Sequence, residues 1–151
     1  MTPEGWTDVA ASLRAAGMRV TAPRVAVLSE VRVGQHATAD QVAARVRARV
    51  GPISTQAVYD VLGALTRASL LRRIEPAGSP TRYETRVGDN HHHVVCRGCG
   101  VIADVDCVVG DPPCLSPPDA GGFLVDEAEI TFWGLCPTCQ TVALEPEMKE
   151  S

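Results

Sequence analysis

The sequence predicts an α+β fold: an N-terminal winged helix-turn-helix domain, then a small C-terminal α/β domain that carries structural zinc. Three observations lead there. Residues 1–69 contain four segments of helical periodicity, followed by two short extended runs around a Gly/Pro turn. Two Cys-x-x-Cys pairs stand at Cys96/Cys99 and Cys136/Cys139. The overall charge of −4 is divided unevenly along the chain: residues 1–86 hold 12 arginines against 7 acidic groups, and residues 87–151 hold 2 basic groups against 11 acidic ones.

The helices can be taken in order. Trp6, Val9, Ala10, Leu13 and Ala16 repeat at helical spacing from Pro3, and Gly17 supplies a stop. Thr21 and Pro23 open a second helix through Val27, Leu28 and Val31, ended by Gly34. Thr38 and Gln41 have the spacing of a capping box for a third helix carrying Val42, Val46 and Val50, which Gly51-Pro52 breaks. Ser54 or Thr55 caps a fourth helix that runs to about Ser69. The hairpin is expected from Leu70–Ile74 and Thr81–Thr85, turning at 76–80. Val94-Val95, Val101–Val105 and Phe123–Phe132 read as strands, and the Pro/Gly-rich stretch 107–122 as a loop with at most one short helical turn. The expected boundaries are 1–85 for the winged-helix domain, 86–90 for a hinge, 91–140 for the zinc-binding domain and 141–151 for a tail.

Composition narrows the function classes. With 45% hydrophobic but only 4% aromatic residues, the core must be aliphatic. No run approaches the roughly 18 apolar residues of a membrane helix. No basic start leads into an apolar stretch and cleavage site. A cytoplasmic location with no membrane partner is therefore expected. A net-positive half joined to a strongly negative one points to a single anionic partner at one end. No Ser/His/Asp set and no HExxH helix is present, so the chain is not expected to be an enzyme.

Six cysteines in such a chain point to metal before disulfides. Two knuckles, each presenting two thiolates from one tight turn, give the S₄ cage that structural Zn²⁺ prefers, formed by Cys96, Cys99, Cys136 and Cys139. A redox pair would need a βαβ setting and usually stands alone. Cys107 and Cys114 lie outside the pattern and read as single thiols in the Pro-rich loop.

The histidines fall in two places, His36 and the run His91-His92-His93. In an extended strand alternate side chains share a face, so His91 and His93 converge and His92 points away. Glu84 at the end of the hairpin and Asp104 in the following strand could complete a site of imidazoles and carboxylates. Such a thiolate-free set suits Fe²⁺ or Mn²⁺, with Zn²⁺ or Ni²⁺ also compatible by ligand type. A cation held by residues on both sides of the hinge would fix the angle between domains. In a dimer it would thereby set the spacing of two reading helices.

On the fourth helix Val58, Leu62, Leu65 and Ser69 line one face, mainly apolar, while Gln56, Tyr59, Asp60, Gly63 and Arg67 lie on the other. Gln56 is suited to hydrogen-bond base edges and the Tyr59 ring to touch a thymine methyl. Arg14, Arg19, Arg24, Arg72 and Arg73 are candidate phosphate contacts, which supply affinity rather than specificity. A catalytic metalloenzyme and a zinc-bearing protein-interaction module are the competing readings. The missing Ser/His/Asp set and HExxH helix weigh against the first, and the charge division and Tyr59 against the second.

Taken together, Gly17–Arg24, His36–Asp40, Ser54–Leu62, Arg82-Tyr-Glu84, His91–Gly100 and Phe132–Cys139 resemble the ferric uptake regulator (Fur) family in its own order, over roughly residues 5 to 140. Within it the chain is most similar to the actinobacterial group of FurA and CatR regulators, itself similar to the peroxide regulator PerR. The resemblance implies a homodimeric winged-helix repressor of operator DNA, with the second domain serving dimerisation. It implies structural zinc on the four knuckle cysteines and regulatory Fe²⁺ or Mn²⁺ on His36, Glu84, His91, His93 and Asp104. In the peroxide-sensing members, iron reacts with hydrogen peroxide and oxidises a histidine ligand. The metal is then lost and catalase-peroxidase genes are derepressed. Asp104 matches that group, where iron-sensing relatives tend to have Glu, and His36 or His91 would be the oxidised residue. The family's iron- or zinc-homeostasis repressors are the alternative. Three departures stand out: Asp60 where many relatives have Arg, the Pro-rich 112–118 in place of a helix, and Ala128 where many have a third-site His, so that no third metal site is expected.

Overall fold

The computed structural model describes residues 3–107 and 115–144, and the chain divides into two compact units at Val87/Gly88. The first unit holds α1 (Pro3–Ala15), α2 (Ala22–Val33), β1 (Ala37–Thr38), α3 (Ala39–Val50), α4 (Thr55–Arg67), β2 (Arg72–Ile74) and β3 (Arg82–Glu84). The second holds β4 (His91–Cys96), β5 (Ile102–Asp106), β6 (Thr131–Gly134) and α5 (Pro137–Leu144).

Local chemistry sets the helix ends. Gly17 takes φ +72°, and the N–H of Met18 returns to the carbonyl of Leu13, the left-handed exit that glycine adopts without a Cβ penalty. Thr21 caps α2 through the N–H of Arg24, and Ser54 caps α4 through the N–H of Ala57. Thr38 and Gln41 form the full capping box of α3, with each side chain accepting the other residue's backbone N–H.

Val9 and Leu13 of α1, the Val25–Val31 stretch of α2, Val42 and Val46 of α3 and Val58, Leu62 and Leu65 of α4 make one aliphatic core. Truncating a buried leucine of this kind costs about 2–5 kcal/mol. Antiparallel β1-β3-β2 forms the wing, with Arg73 opposite Tyr83 and Ala37 also opposite Tyr83. In the second unit β4 is central. It runs antiparallel to β5 (His93 opposite Asp104) and parallel to β6 (His93 opposite Thr131).

Several expectations change in detail. The segment 123–132 is not one strand: only Thr131–Gly134 pairs, and Phe123 and Leu124 are exposed. The acidic run Asp126-Glu127-Ala128-Glu129 has poor strand propensity, and pairing with β4 begins only at Thr131. The second knuckle opens a helix, α5, which runs to Leu144 and across the expected 140/141 boundary. Pro137 suits its first turn, where a missing N–H costs nothing. β1, two residues long, carried no sequence signal. The fourth helix ends at Arg67 rather than Ser69, because Ser69 takes φ +58° and leaves helical space. The expected tail at 145–151, and Cys114 with the first half of the proline-rich segment, lie outside the described residues.

Candidate metal centres and nucleic-acid interface

The four knuckle cysteines are brought together: their sulfurs all lie within 4.8 Å of one another. The Cys99 and Cys136 sulfurs are 3.8 Å apart. A tetrahedral cation with bonds of about 2.3 Å to sulfur requires an edge of about 3.8 Å, so the donor set and its spacing fit zinc. The parallel pairing of β4 with β6 aligns the ends of both strands, Cys96 opposite Gly134, and so delivers the two turns to one place. The N–H of Arg97 donates to the carbonyl of Gly134, and the Arg97 guanidinium lies 5.3 Å over the Trp133 ring. Both contacts hold the first knuckle to the strand that leads into the second. Gly98 is required by close approach, since a Cβ there would come 2.9 Å from the Cys139 sulfur.

Backbone N–H groups are aimed at these sulfurs, as in the 3.3 Å bond from Cys136 N–H to Cys96 Sγ. Those of Cys136 and Cys99 hold the Cys96 thiol down to about 6. Cys139, hydrogen-bonded to the sulfurs of Cys136 and Cys96, is pushed up to about 12. Four clustered sulfurs cannot all ionise by themselves, and a divalent cation supplies the missing charge.

Of the histidine and carboxylate candidates, His36 and Glu84 belong to the first unit and His91, His93 and Asp104 to the second. In the first unit His36 Nε2 lies 3.2 Å from Glu84 Oε2, and Arg72 Nε is 4.0 Å from the other carboxylate oxygen. His36 itself takes φ +63°, a conformation that non-glycine residues adopt rarely and histidine more readily than most. Neighbouring bonds hold it there. Arg82 donates to the His36 carbonyl, Gln35 Nε2 donates to Thr85 Oγ1 at 2.6 Å, and the Thr85 N–H donates back to Gln35 Oε1. Gln35 and Thr85 are each the immediate neighbour of a candidate ligand.

In the second unit His91 and His93 share one face of β4, with ring centroids 4.9 Å apart, and both side chains are buried. His93 Nε2 is 3.4 Å from Asp104 Oδ1 and His91 Nε2 is 3.8 Å from it. Ligands bound at about 2.1 Å sit roughly 3–3.5 Å apart, so the His36–Glu84 and His93–Asp104 pairs have ligand spacing and His91 is slightly wider. His91 Nδ1 meets Asp89 Oδ1 at 2.5 Å, the carboxylate–histidine contact that fixes an imidazole tautomer and leaves Nε2 for a metal. Sequence reasoning missed Asp89. Its signal was position alone, two residues before His91 and just ahead of β4. His92 faces away, its Nδ1 accepting the N–H of Ile130.

The nucleic-acid candidates sit in the first unit. Gln56, Tyr59, Asp60 and Arg67 are exposed on α4 opposite its buried face, with Tyr59 47% accessible. Arg14 and Arg19 are exposed at the end of α1 and in the turn after it, and the Arg24 guanidinium donates to the Arg19 carbonyl at 2.8 Å. Arg73 pairs with Glu75 in the wing.

Comparison with known proteins places this geometry among relatives. Residues 15–108 match the model of the ferric uptake regulator family. The transcriptional regulator FurA of Mycobacterium tuberculosis is 60% identical over 132 residues, covering 87% of this chain and 90% of that protein. Ferric uptake regulation protein 1 of Mycolicibacterium fortuitum is 58% identical, covering 83% and 78% respectively. Among solved structures, the Vibrio cholerae ferric uptake regulator superposes with a TM-score of 0.64 at 20% identity, over 84% of this chain and 98% of that one. The Campylobacter jejuni peroxide stress regulator does so with a TM-score of 0.60 at 22% identity, over 92% and 100%. At such identity these two structures speak for the fold.

Proposed function

This chain belongs to the ferric uptake regulator family, a family of metal-dependent transcriptional regulators rather than enzymes, and from that premise we propose that it is a repressor that binds operator DNA when Fe²⁺ or Mn²⁺ is bound and lets go when hydrogen peroxide oxidises a histidine ligand. The observation that carries the metal dependence is the chemistry of the two histidine–carboxylate groups: His36 with Glu84 in one unit, His91 and His93 with Asp104 in the other. They contain no thiolate, as suits Fe²⁺ or Mn²⁺. In this reading all five side chains contribute to one ligand set drawn from both units, and residues 86–90 act as the hinge. Buried His93 and Glu84 lose their solvation on folding and recover it through coordination. Asp89 keeps His91 oriented.

The zinc site on Cys96, Cys99, Cys136 and Cys139 is structural, because all four positions are taken by protein and none is open to substrate. Two copies pair through the second unit. Exposed Phe123, Leu124, Phe132 and Leu135 there, beside the edge strand β6, support that reading. α4 then serves as the reading helix, with Gln56 and Tyr59 toward base edges and Arg14, Arg19 and Arg24 toward phosphates. Bound iron would supply the peroxide chemistry, in which one oxygen is added to an imidazole and water is the other product. His36 and His91 are the candidate acceptors.

The test combines a gel shift on its own promoter with mass spectrometry. Binding should strengthen with Fe²⁺ or Mn²⁺, and peroxide should abolish it only in the iron form, with one oxygen gained on a His36 or His91 peptide. Equal binding with and without metal would defeat the repressor reading, and confirmed iron without oxygen gain would defeat the peroxide part.

A further inference from the structure

On α4 the residues at 56, 60, 63 and 67 recur every three or four positions and so lie along one side, away from buried Val58, Leu62 and Leu65. At the N-terminal end of that side Gln56 Nε2 donates to Asp60 Oδ1 at 2.9 Å, and both residues are exposed. This contact fixes which way the amide faces. Its nitrogen is committed to the carboxylate, so Gln56 Oε1 and Asp60 Oδ2 remain as acceptors, with one Nε2 hydrogen still available to donate. Gly63 and Arg67 follow on the same side, where the Arg67 guanidinium lies 3.3 Å from the place a Cβ on Gly63 would take. The first two turns of the helix therefore present an acceptor-rich edge, and positive charge appears only in the last.

We propose that Asp60 is a specificity-determining residue of the reading helix, locking Gln56 so that the pair selects a base that presents an amino group in the major groove, adenine or cytosine, and rejects guanine at the contacted position. The inference rests on the DNA-binding reading above. In the major groove adenine offers the N6 amino donor beside the N7 acceptor, which match Gln56 Oε1 and its remaining hydrogen, and cytosine offers the N4 amino donor. In the major groove guanine offers only the O6 and N7 acceptors; the remaining Nε2 hydrogen can meet one of them, and the other is left opposing Gln56 Oε1 or Asp60 Oδ2 across a desolvated contact. A free glutamine could turn its amide over to meet guanine, and the bond to Asp60 removes that option. Asp60 also places a negative charge near phosphates, which lowers affinity for every sequence alike. Its contribution is therefore discrimination rather than strength.

The test is selection of bound duplexes from a randomised double-stranded library, using the full-length zinc- and Mn²⁺-loaded protein and its Gln56→Ala, Asp60→Ala and double variants. The wild type should exclude guanine by about tenfold at one position of each half-site. Asp60→Ala should flatten preference at that position alone, while binding to an unselected duplex becomes tighter. The double variant should be no flatter than either single one. An Asp60→Ala profile identical to the wild type would overturn the proposal, as would additive effects of the two substitutions. No enrichment by the wild-type protein at any position would instead count against the DNA-binding reading itself.

Discussion

At the residue scale, the two kinds of candidate metal centre differ in how their donors are held. The knuckle sulfurs are gathered by backbone turns and N–H groups, whereas the imidazoles are oriented by carboxylates. This difference leads to two expectations. His93→Ala removes a buried candidate ligand 3.4 Å from Asp104 and should cut Mn²⁺ affinity by about two orders of magnitude, while zinc content stays unchanged; metal titration by paramagnetic resonance with elemental analysis checks both. Asp89→Ala removes the carboxylate that meets His91 Nδ1 and should weaken Mn²⁺ binding by about 10–100-fold. Zinc uptake should depend on pH because protons compete for the sulfur lone pairs. Near neutrality Cys96, held at about 6, is ionised, and Cys139, pushed up to about 12, keeps its proton. Zinc uptake at pH 7 must therefore release the Cys139 proton, and apparent affinity should rise as pH increases from 7. Below about 6 Cys96 is protonated as well, so the affinity should fall more steeply there. Chelator competition across that range reads the slope, and a flat profile would contradict these ionisation states.

At the scale of elements, caps and clamps connect local sequence to the sites. The capping box at Thr38 starts α3 two residues after His36, so the same turn that begins a helix also places a candidate ligand. Thr38→Ala should destabilise the first unit by about 0.5–2 kcal/mol, read as a lower urea midpoint with unchanged slope. Gln35→Ala breaks the reciprocal bonds to Thr85 that keep His36 and Glu84 together; it should weaken Mn²⁺ binding with little effect on the melting temperature. The capping box was legible because it is a four-residue signal. The Gln35–Thr85 clamp was not, since its partners are 50 positions apart and neither residue type is unusual. The strand expected at 123–132 is shorter for a related reason: apolar residues at Phe123, Leu124 and Val125 look like strand in isolation, and pairing with β4, which begins at Thr131, decides where a strand exists.

At the scale of the whole molecule, the two units draw on different sources of stability. The first has an aliphatic core shared by four helices. The second has a three-stranded sheet with few fully buried side chains and the cysteine cluster, so metal binding contributes directly to its folding. Removing zinc with a strong chelator should therefore expose the amides of β4, β5 and β6 to hydrogen exchange while α2, α3 and α4 stay protected. Equal loss of protection in both units would show that the first unit's core does not stand by itself. Leu124, 97% exposed, lies on the face proposed to meet a second copy. Leu124→Asp should shift the molar mass measured by light scattering toward that of one chain without releasing zinc.

By itself the amino-acid sequence determined the order of the first unit's four helices, their caps, the membership of the cysteine cluster and the kind of metal each donor set suits, because these depend on residue type and short spacing. Tertiary structure alone decided that β6 runs parallel to β4 and so brings the knuckles together, that Asp89 steers His91, and that Gln56 is tied to Asp60. Those outcomes turn on which backbone pairs with which and which rotamer meets a neighbour. A periodic pattern constrains neither, since hydrogen bonds and side-chain contacts are directional and are completed only when distant segments meet.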